Sequence, residues 1–234
     1  MKSQPSYEEQ LNSFSGTAPL FPLSNVVLFP HLAIPLHIYE DRYRKMVEDV
    51  LEGSGMIALA LLRPGWEACR DASPPIHEMV CLGRITAEEQ LPNGRYNLVL
   101  SGMLRAVVIQ EEVTDLPYRT AQMELYRDLY SQKFLPSQRD ERRRDLLLAF
   151  RRLYPRSHVD SLFAQMLDAD LPLGMLCDLL ANALQINSNA KQELLEEVDV
   201  DLRSELLLSM IDDLAAVATV SASNSSFSPK FSLN

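Results

Sequence analysis

The chain has 234 residues, of which 47% are hydrophobic and 23% are charged, a composition typical of a globular protein rather than a disordered or fibrous one. Its length allows one large domain or two small ones. The longest apolar run, Met56 to Leu62, is much shorter than the roughly 20 residues of a transmembrane helix. Residues 1–16 lack the apolar segment of a signal peptide. We therefore expect a cytoplasmic protein without a membrane anchor.

The net charge and the cysteines limit which ligands and metal sites are expected. With 22 Lys and Arg residues against 32 Asp and Glu residues, the net charge is −10, and such acidity repels the phosphates of nucleic acids. The cysteines, Cys69, Cys81 and Cys177, are widely spaced and form no C-x-x-C pair. Neither a zinc ribbon nor a redox motif is predicted from them, and we expect reduced thiols.

Short strands are predicted throughout the first half of the chain. Residues 21–29 and 34–38 are β-prone runs interrupted by prolines, which indicates edge or crossing strands. Asn93-Gly94 predicts a hairpin with a two-residue type I′ turn, and the alternation over residues 95–100 predicts one buried face and one outward face. Gly102 then permits a bulge or sharp bend. Further strands are predicted at 56–62, 79–88, 103–113 and 118–126.

One helix interrupts these strands, and several follow them. From Glu40 to Leu51 apolar residues recur at helical spacing, and Gly53 is suited to cap the end. Strands punctuated by Gly and Pro around one helix suggest a small, curved, barrel-like sheet. After Tyr130 the pattern predicts a helical bundle, and the Ser-rich residues 221–234 predict a mobile tail. The predicted helices of the bundle lie near residues 146–154, 157–167, 170–184, 187–198 and 201–219.

Several motifs occur in the order of a known family. They begin with Pro19 to Leu23, Val26 to Pro30 and Pro35 to Glu40 and continue with Arg42-Tyr43, Gly83, the Asn93 to Tyr96 hairpin, Leu98 to Arg105, Pro117-Tyr118 and the segments 191–196 and 199–203. Over Pro19 to Met210 this order resembles the LON N-terminal domain, the substrate-recognition module of the ATP-dependent Lon proteases. His31, Asp41 and residues 63–75 depart from the family pattern.

The resemblance implies an α+β fold, with a PUA-like, partly open β-barrel followed by a C-terminal α-helical bundle. We accordingly divide the chain into a flexible tail (1–18), the β domain (19–130), the helical bundle (131–220) and a mobile tail (221–234). The resemblance does not extend to the ATPase and Ser-Lys protease modules of Lon, and the sequence contains no G-x-x-x-x-G-K-[ST] phosphate loop. No enzymatic activity, catalytic residue or cofactor is therefore expected.

Local patterns for catalysis or metal binding are weak. His77 and Cys81 would share a face of a strand and form the best candidate for nucleophilic chemistry. Cys81 lies in an apolar stretch, where a buried thiol behaves as a small hydrophobe, so we interpret it as part of the core. A metal site that combines His31, His37, His77 and Cys81 would lack closely spaced histidines. No metal is predicted.

An arginine cluster from Arg139 to Arg156 supports an alternative function. PUA-like folds also occur in RNA-binding proteins, and such a protein would bind phosphates through these arginines. At about 100° per residue on a helix, however, the arginines form no continuous stripe, and acidic residues lie among them. We interpret the cluster as a solvated helix face and keep RNA binding as the alternative.

The function implied by the resemblance is recognition of polypeptide. The protein would bind exposed apolar segments of unfolded or degron-bearing proteins and act as an adaptor or regulator of a separate protease. A crevice between the sheet and the bundle, or an exposed strand edge, would suit such a ligand. No oligomeric state is predicted. The candidate peptide-binding residues are Phe29, His31, His37, Tyr43 and Tyr118.

Overall fold

The computed structural model describes residues 14–69, 73–154 and 171–224. The chain divides into two compact units, residues 1–127 with 185–198 and residues 128–184 with 199–234. The helix predicted at 157–167, Arg156 and most of both predicted tails lie outside the described residues. Residues 221–224 are described and continue the last helix, where the sequence predicted the start of a tail.

Strands dominate the first half of the chain and helices the second, as the periodicity predicted. In chain order the elements are β1 (Thr17–Leu23), β2 (Ala33–Ile38), α1 (Asp41–Glu52), β3 (Met56–Leu61), a short 3-10 helix (Trp66–Ala68), β4 (Met79–Gln90), β5 (Tyr96–Glu112), β6 (Thr120–Tyr126), α2 (Pro136–Leu153), α3 (Leu173–Ala183), α4 (Ser188–Glu196) and α5 (Val200–Asn224).

The strands form one six-stranded sheet in the order β2-β5-β4-β3-β1-β6. The pairing of β1 with β3 is parallel and the other pairings are antiparallel. Because β6 pairs with β1 and also with β5, the sheet curves back on itself. The result is a partly open, ring-like sheet with β2 at its edge rather than a closed barrel. The predicted fold class is confirmed in this form.

The longest strand, β5, changes its partner at Gly102. Residues 96–101 pair with β2, whereas residues 105–112 pair with β6. On its other edge β5 pairs with β4. There Leu82 faces Leu104 and the next residue, Gly83, faces Gly102, so Met103 has no opposite residue in β4 and forms a bulge. The bend predicted at Gly102 is therefore confirmed. The predicted strands on either side of it are one continuous strand, since a single bulge bends a ladder without ending it.

Two local predictions in the β unit are wrong. The strand predicted over residues 21–29 ends at Leu23; the following Val27, Leu28 and Phe29 are buried but run as irregular chain. The hairpin at Asn93-Gly94 forms, but Gly94 has a positive φ and Asn93 does not. A type I′ turn needs positive φ at both central residues, so the connection is a longer loop.

A close backbone contact explains the glycine at position 102. A Cβ atom placed on Gly102 would lie 2.2 Å from the carbonyl oxygen of Phe29. The Gly102 N–H donates to the Leu32 carbonyl at 2.7 Å, and the His31 N–H donates to the Gly102 carbonyl at 3.0 Å. Only a residue without a side chain allows the loop before β2 to approach β5 this closely.

We predict that Gly102→Ala destabilises the fold. The added methyl group overlaps the Phe29 carbonyl, and forced overpacking of this kind lowers the free energy of unfolding by about 1–3 kcal/mol. Urea unfolding followed by circular dichroism measures the change. Gly53→Ala is the matched control, because a Cβ there meets only ordinary contacts of 3.5 Å or more. Equal stability of the two variants would contradict the steric explanation.

The helix predicted over residues 40–51 is confirmed as α1, with Gly53 as its C-cap.

Helix α4 belongs to the β unit, although the sequence analysis placed it in the helical bundle. Arg105 of β5 is buried and donates to the Leu195 carbonyl at 2.8 Å and to the Leu194 carbonyl at 3.5 Å. A guanidinium at this end satisfies carbonyls that the helix itself leaves open.

The second unit is helical, with a buried ion pair inside it. Arg203 of α5 is fully buried, and its Nη2 lies 2.7 Å from the Asp128 carboxylate. Its Nε lies 3.7 Å from Asp178 of α3, which is also buried. None of the described helices combines the length and the hydropathy needed to cross a membrane. The apolar core of this unit includes Leu146, Leu147, Phe150, Leu176, Leu180, Leu207 and Ile211.

Candidate functional site

The structure does not bring the five predicted peptide-binding residues into one site, although Tyr43 and Tyr118 line a common cavity. Phe29 is wholly buried beside Gly102, so its side chain is not accessible to a ligand. His31 is exposed but stands in the turn before β2 with a φ of +66°, a rare conformation for a residue with a side chain. Tyr43 and Tyr118 are each 7% exposed. His37 alone among them lies on an exposed face of a strand.

Tyr43 and Tyr118 line one cavity of the β unit. This cavity has a volume of about 410 Å³ and is also lined by Arg42, Leu116 and Arg119. The guanidinium of Arg42 lies 4.5 Å above the ring of Tyr43 and pairs with Glu40. Arg119 pairs with Glu111. Both cations are already neutralised by carboxylates, so neither of them offers an uncompensated positive charge to a ligand.

The Tyr118 hydroxyl holds α1 against the loop that leads into β6. It donates to the Asp49 carboxylate at 2.8 Å, and the other oxygen of Asp49 lies 2.6 Å from Lys45. Burial, and then the hydrogen bond to Asp49, raise the pKa of Tyr118 to about 12. The hydrogen bonds from Lys45 and Tyr118 lower the pKa of Asp49. We interpret this cluster as structural.

We predict that Tyr118→Phe lowers the free energy of unfolding by about 1 kcal/mol at neutral pH, since one hydrogen bond is lost. The folded protein holds the phenolic proton more tightly than the unfolded chain does. The Tyr118 contribution is therefore complete below pH 10 and is lost as the pH rises through about 12. Urea unfolding of both proteins from pH 7 to 12 tests this. The exposed Tyr39→Phe is the control, and a difference that stays constant up to pH 12 would contradict the assignment.

A different surface surrounds His37. Strands β2, β5 and β4 are neighbours here, and residues directly opposite each other in antiparallel strands share a face. Pro35 faces Val99, which faces Ala87, and His37 faces Asn97, which faces Glu89. All are exposed except Val99, which is partly exposed. We call this surface the open face, formed by Pro35, His37, Ala87, Glu89, Asn97 and Val99.

One row of the open face is polar and fully connected. The Asn97 amide nitrogen donates to Glu89 at 3.2 Å, so its oxygen accepts from the His37 Nδ1–H at 2.8 Å. This assignment leaves Nε2 of the neutral His37 ring as a hydrogen-bond acceptor. The ring of Tyr39 is stacked with that of His37 at a centroid distance of 6.3 Å and is 60% exposed. The polar row is therefore held in place while keeping groups for a ligand.

The other row is apolar. Pro35, Val99 and Ala87 follow one another across the three strands. They line a shallow depression of about 420 Å³ that Leu36 and Leu98 also border. This volume falls within the range of ligand sites, and such sites combine apolar walls with a few polar groups. The open face has the composition of a binding surface.

Pro35 also restricts the free edge of β2. The Leu32 carbonyl accepts from Gly102, and backbone groups alternate along a strand, so Ala33, Pro35 and His37 direct theirs away from β5. A proline in the middle of this edge provides no N–H and places its ring where a further strand would pair. Pairing of an extended peptide along this edge, which the sequence suggested, is therefore disfavoured.

The weaker sequence candidates do not form sites. Cys81 is wholly buried, and the Nδ1 of His77 lies 2.9 Å from Glu196 of α4. Within the described part of the chain, no three His, Cys, Asp or Glu residues are grouped closely enough to hold a metal ion. In the arginine cluster, Arg139 pairs with Asp201 and Arg142 with Glu205. These arginines bridge α2 and α5, which weakens the case for a phosphate-binding stripe.

Comparison with known proteins identifies the family. The model of the ATP-dependent protease La (LON) substrate-binding domain matches residues 17–213. The chain belongs to this family. The Lon protease of Bacillus thuringiensis (strain Al Hakam) is 28% identical over 212 residues, which are 87% of this chain and 25% of that protein. The Lon protease of Dictyoglomus thermophilum is 28% identical over 198 residues, 83% of this chain and 24% of that protein.

Solved structures confirm the LON fold. A Lon N-terminal domain protein from Xanthomonas campestris superposes with a TM-score of 0.60 at 23% identity, covering 82% of this chain and 97% of that one. The N-terminal domain of the Mycobacterium avium complex Lon protease gives a TM-score of 0.65 at 16% identity, covering 84% and 98%. The chain spans about a quarter of the length of the curated Lon proteases it matches.

Sequence reasoning missed most of the open face. It found His37 and the outward direction of Asn97 and Val99, which follow from local alternation. It did not find that β2 lies beside this part of β5, since their pairing joins residues about 60 positions apart. Pro35, Ala87 and Glu89 lie on the open face because of that pairing and because of the bulge in β4 between Ile85 and Ala87.

Proposed function

We propose that this LON domain is a non-enzymatic module that recognises polypeptide and binds exposed apolar segments of unfolded or degron-bearing proteins at the open face. The observation that supports this most directly is the exposed apolar row of Pro35, Val99 and Ala87 beside the hydrogen-bonding row of His37, Asn97 and Glu89. Membership of a substrate-binding family supports the same class of ligand.

The two rows give different parts of the recognition. Removing an apolar side chain of the ligand from water contributes about 1.5–3 kcal/mol when burial is complete. The depression beside Val99 and Ala87 provides the apolar surface for one or two such side chains. The ring of His37 and the amide of Asn97 can bond to the backbone of an extended segment, which fixes its position without reading its sequence.

In a cell such a module would serve as an adaptor or regulator for a separate protease. The matched part of the curated Lon proteases is about a quarter of their length, and their whole activity is not transferred to this chain. The sequence itself contains no G-x-x-x-x-G-K-[ST] motif. Capture of a client, with energy-dependent steps carried out by a partner, is the division of labour we propose.

Binding of labelled apolar peptides, measured by fluorescence anisotropy, tests this function. We expect Val99→Asn to weaken binding about ten-fold, because it replaces the central side chain of the apolar row by a polar one of similar size. The matched control is Ile109→Asn. Ile109 is on the same strand and 61% exposed but lies outside the depression, so its variant should bind like the wild type.

Three results would contradict the proposal. One is an absence of binding to apolar peptides by the wild-type protein. Another is equal loss of binding in the Val99→Asn and Ile109→Asn variants, which would place the site elsewhere. The third is retention of a structured RNA in place of peptide, with strong dependence on salt, which would move the function to the Arg139–Arg156 cluster. Circular dichroism of each variant verifies that the fold is retained.

A further inference from the structure

The charge around the open face is negative and uncompensated. Glu89 lies on the open face and lines the depression, and none of the described residues that line the depression is a lysine or an arginine. Its carboxylate forms no ion pair within the described part of the chain and accepts a hydrogen bond from the neutral Asn97 amide. The residue is exposed, so its negative charge is available to a ligand.

Other carboxylates of the same unit have cationic partners. Lys45 pairs with Asp49, Arg63 with Glu78, and Arg119 with Glu111. Glu89 has no such cationic partner within the described residues. A carboxylate without a cationic partner beside an apolar depression favours a ligand that brings the opposite charge with its apolar group.

We propose that the open face selects apolar segments flanked by Lys or Arg over equally apolar segments flanked by neutral or acidic residues. This inference rests on the proposed function and specifies its substrate class. The apolar side chain of the client occupies the depression, and a basic residue next to it in the client chain lies near Glu89. An acidic flank is repelled by the same carboxylate, so discrimination has both an attractive and a repulsive part.

The size of this preference for basic flanks is set by the solvent exposure of Glu89. Ion pairs at exposed sites contribute little because water and salt screen them. For a basic flank next to the Glu89 carboxylate we therefore expect a gain in affinity of about two- to five-fold over a neutral flank. The preference should decrease as salt is added, whereas the contribution of the apolar core should persist.

The experiment uses three labelled peptides with one apolar core and Arg, Gln or Glu flanks. Dissociation constants are measured by fluorescence anisotropy at low and moderate salt for the full chain. The expected order of affinity is Arg, then Gln, then Glu flanks. In the variant Glu89→Gln the ratio of affinities for Arg and Gln flanks should fall close to one. Glutamine at position 89 still accepts a hydrogen bond from Asn97, so the polar row can be kept.

A matched control variant separates the effect of the charge at the open face from the effect of the net charge of the chain. Glu124 of β6 is exposed and does not line the depression. The variant Glu124→Gln therefore changes the net charge equally and should keep the wild-type ratio. If both variants lose the preference equally, the overall acidity causes it and the inference is overturned.

Failure of the inference is distinguishable from failure of the proposed function. Equal affinity of the wild type for all three flanks would overturn the charge selectivity and leave apolar recognition intact. An absence of binding to the Gln-flanked peptide at both salt concentrations would instead contradict apolar recognition itself. A preference that persists in the Glu89→Gln variant but is lost in the control variant would place the acidic selector elsewhere on the chain and overturn the inference.

Discussion

The contact between Gly102 and the Phe29 carbonyl determines how the rest of the β unit is arranged. It brings the loop before β2 against the middle of β5, at the residue where β5 stops pairing with β2 and begins to approach β6. One strand can thereby form part of the ring and also carry an additional edge strand. The open face exists because β2 is held there, since two of its residues form one side of both rows.

The position of β2 at the edge of the sheet also explains why we place the proposed recognition on a face of the sheet. An edge strand presents unpaired backbone groups, which makes it prone to unwanted strand pairing. Pro35 removes a donor from the centre of that edge and at the same time presents its ring to the apolar row. A single residue thus protects the edge and builds the depression. The proline that prevents uncontrolled strand pairing would therefore also direct a ligand to side-chain contacts on the open face.

Local patterns in the sequence predicted the elements, whereas the site depended on contacts distant in sequence. The helix before Gly53 and the bend at Gly102 follow from residue types within a few positions. The family motifs predicted the ring-like sheet. Phe29 and Tyr118 were predicted to line a crevice between the sheet and the bundle; in the structure Phe29 is buried against β5, and Tyr118 donates a hydrogen bond to Asp49. The identity of neighbouring strands is not encoded locally, so Ala87 and Glu89 were not found.

A surface that captures apolar segments must also avoid capturing a second copy of itself. Exposed apolar sheet faces tend to associate, and the row of Pro35, Val99 and Ala87 would do so if its surroundings were neutral. Two copies that met through their open faces would bring the negative charge of Glu89 in each copy into the shared interface, and like charges that lose water repel each other strongly. The carboxylate that we propose to favour basic clients therefore also disfavours self-association through this face. Under the proposed function, preference for cationic segments and resistance to self-association follow from one charge distribution.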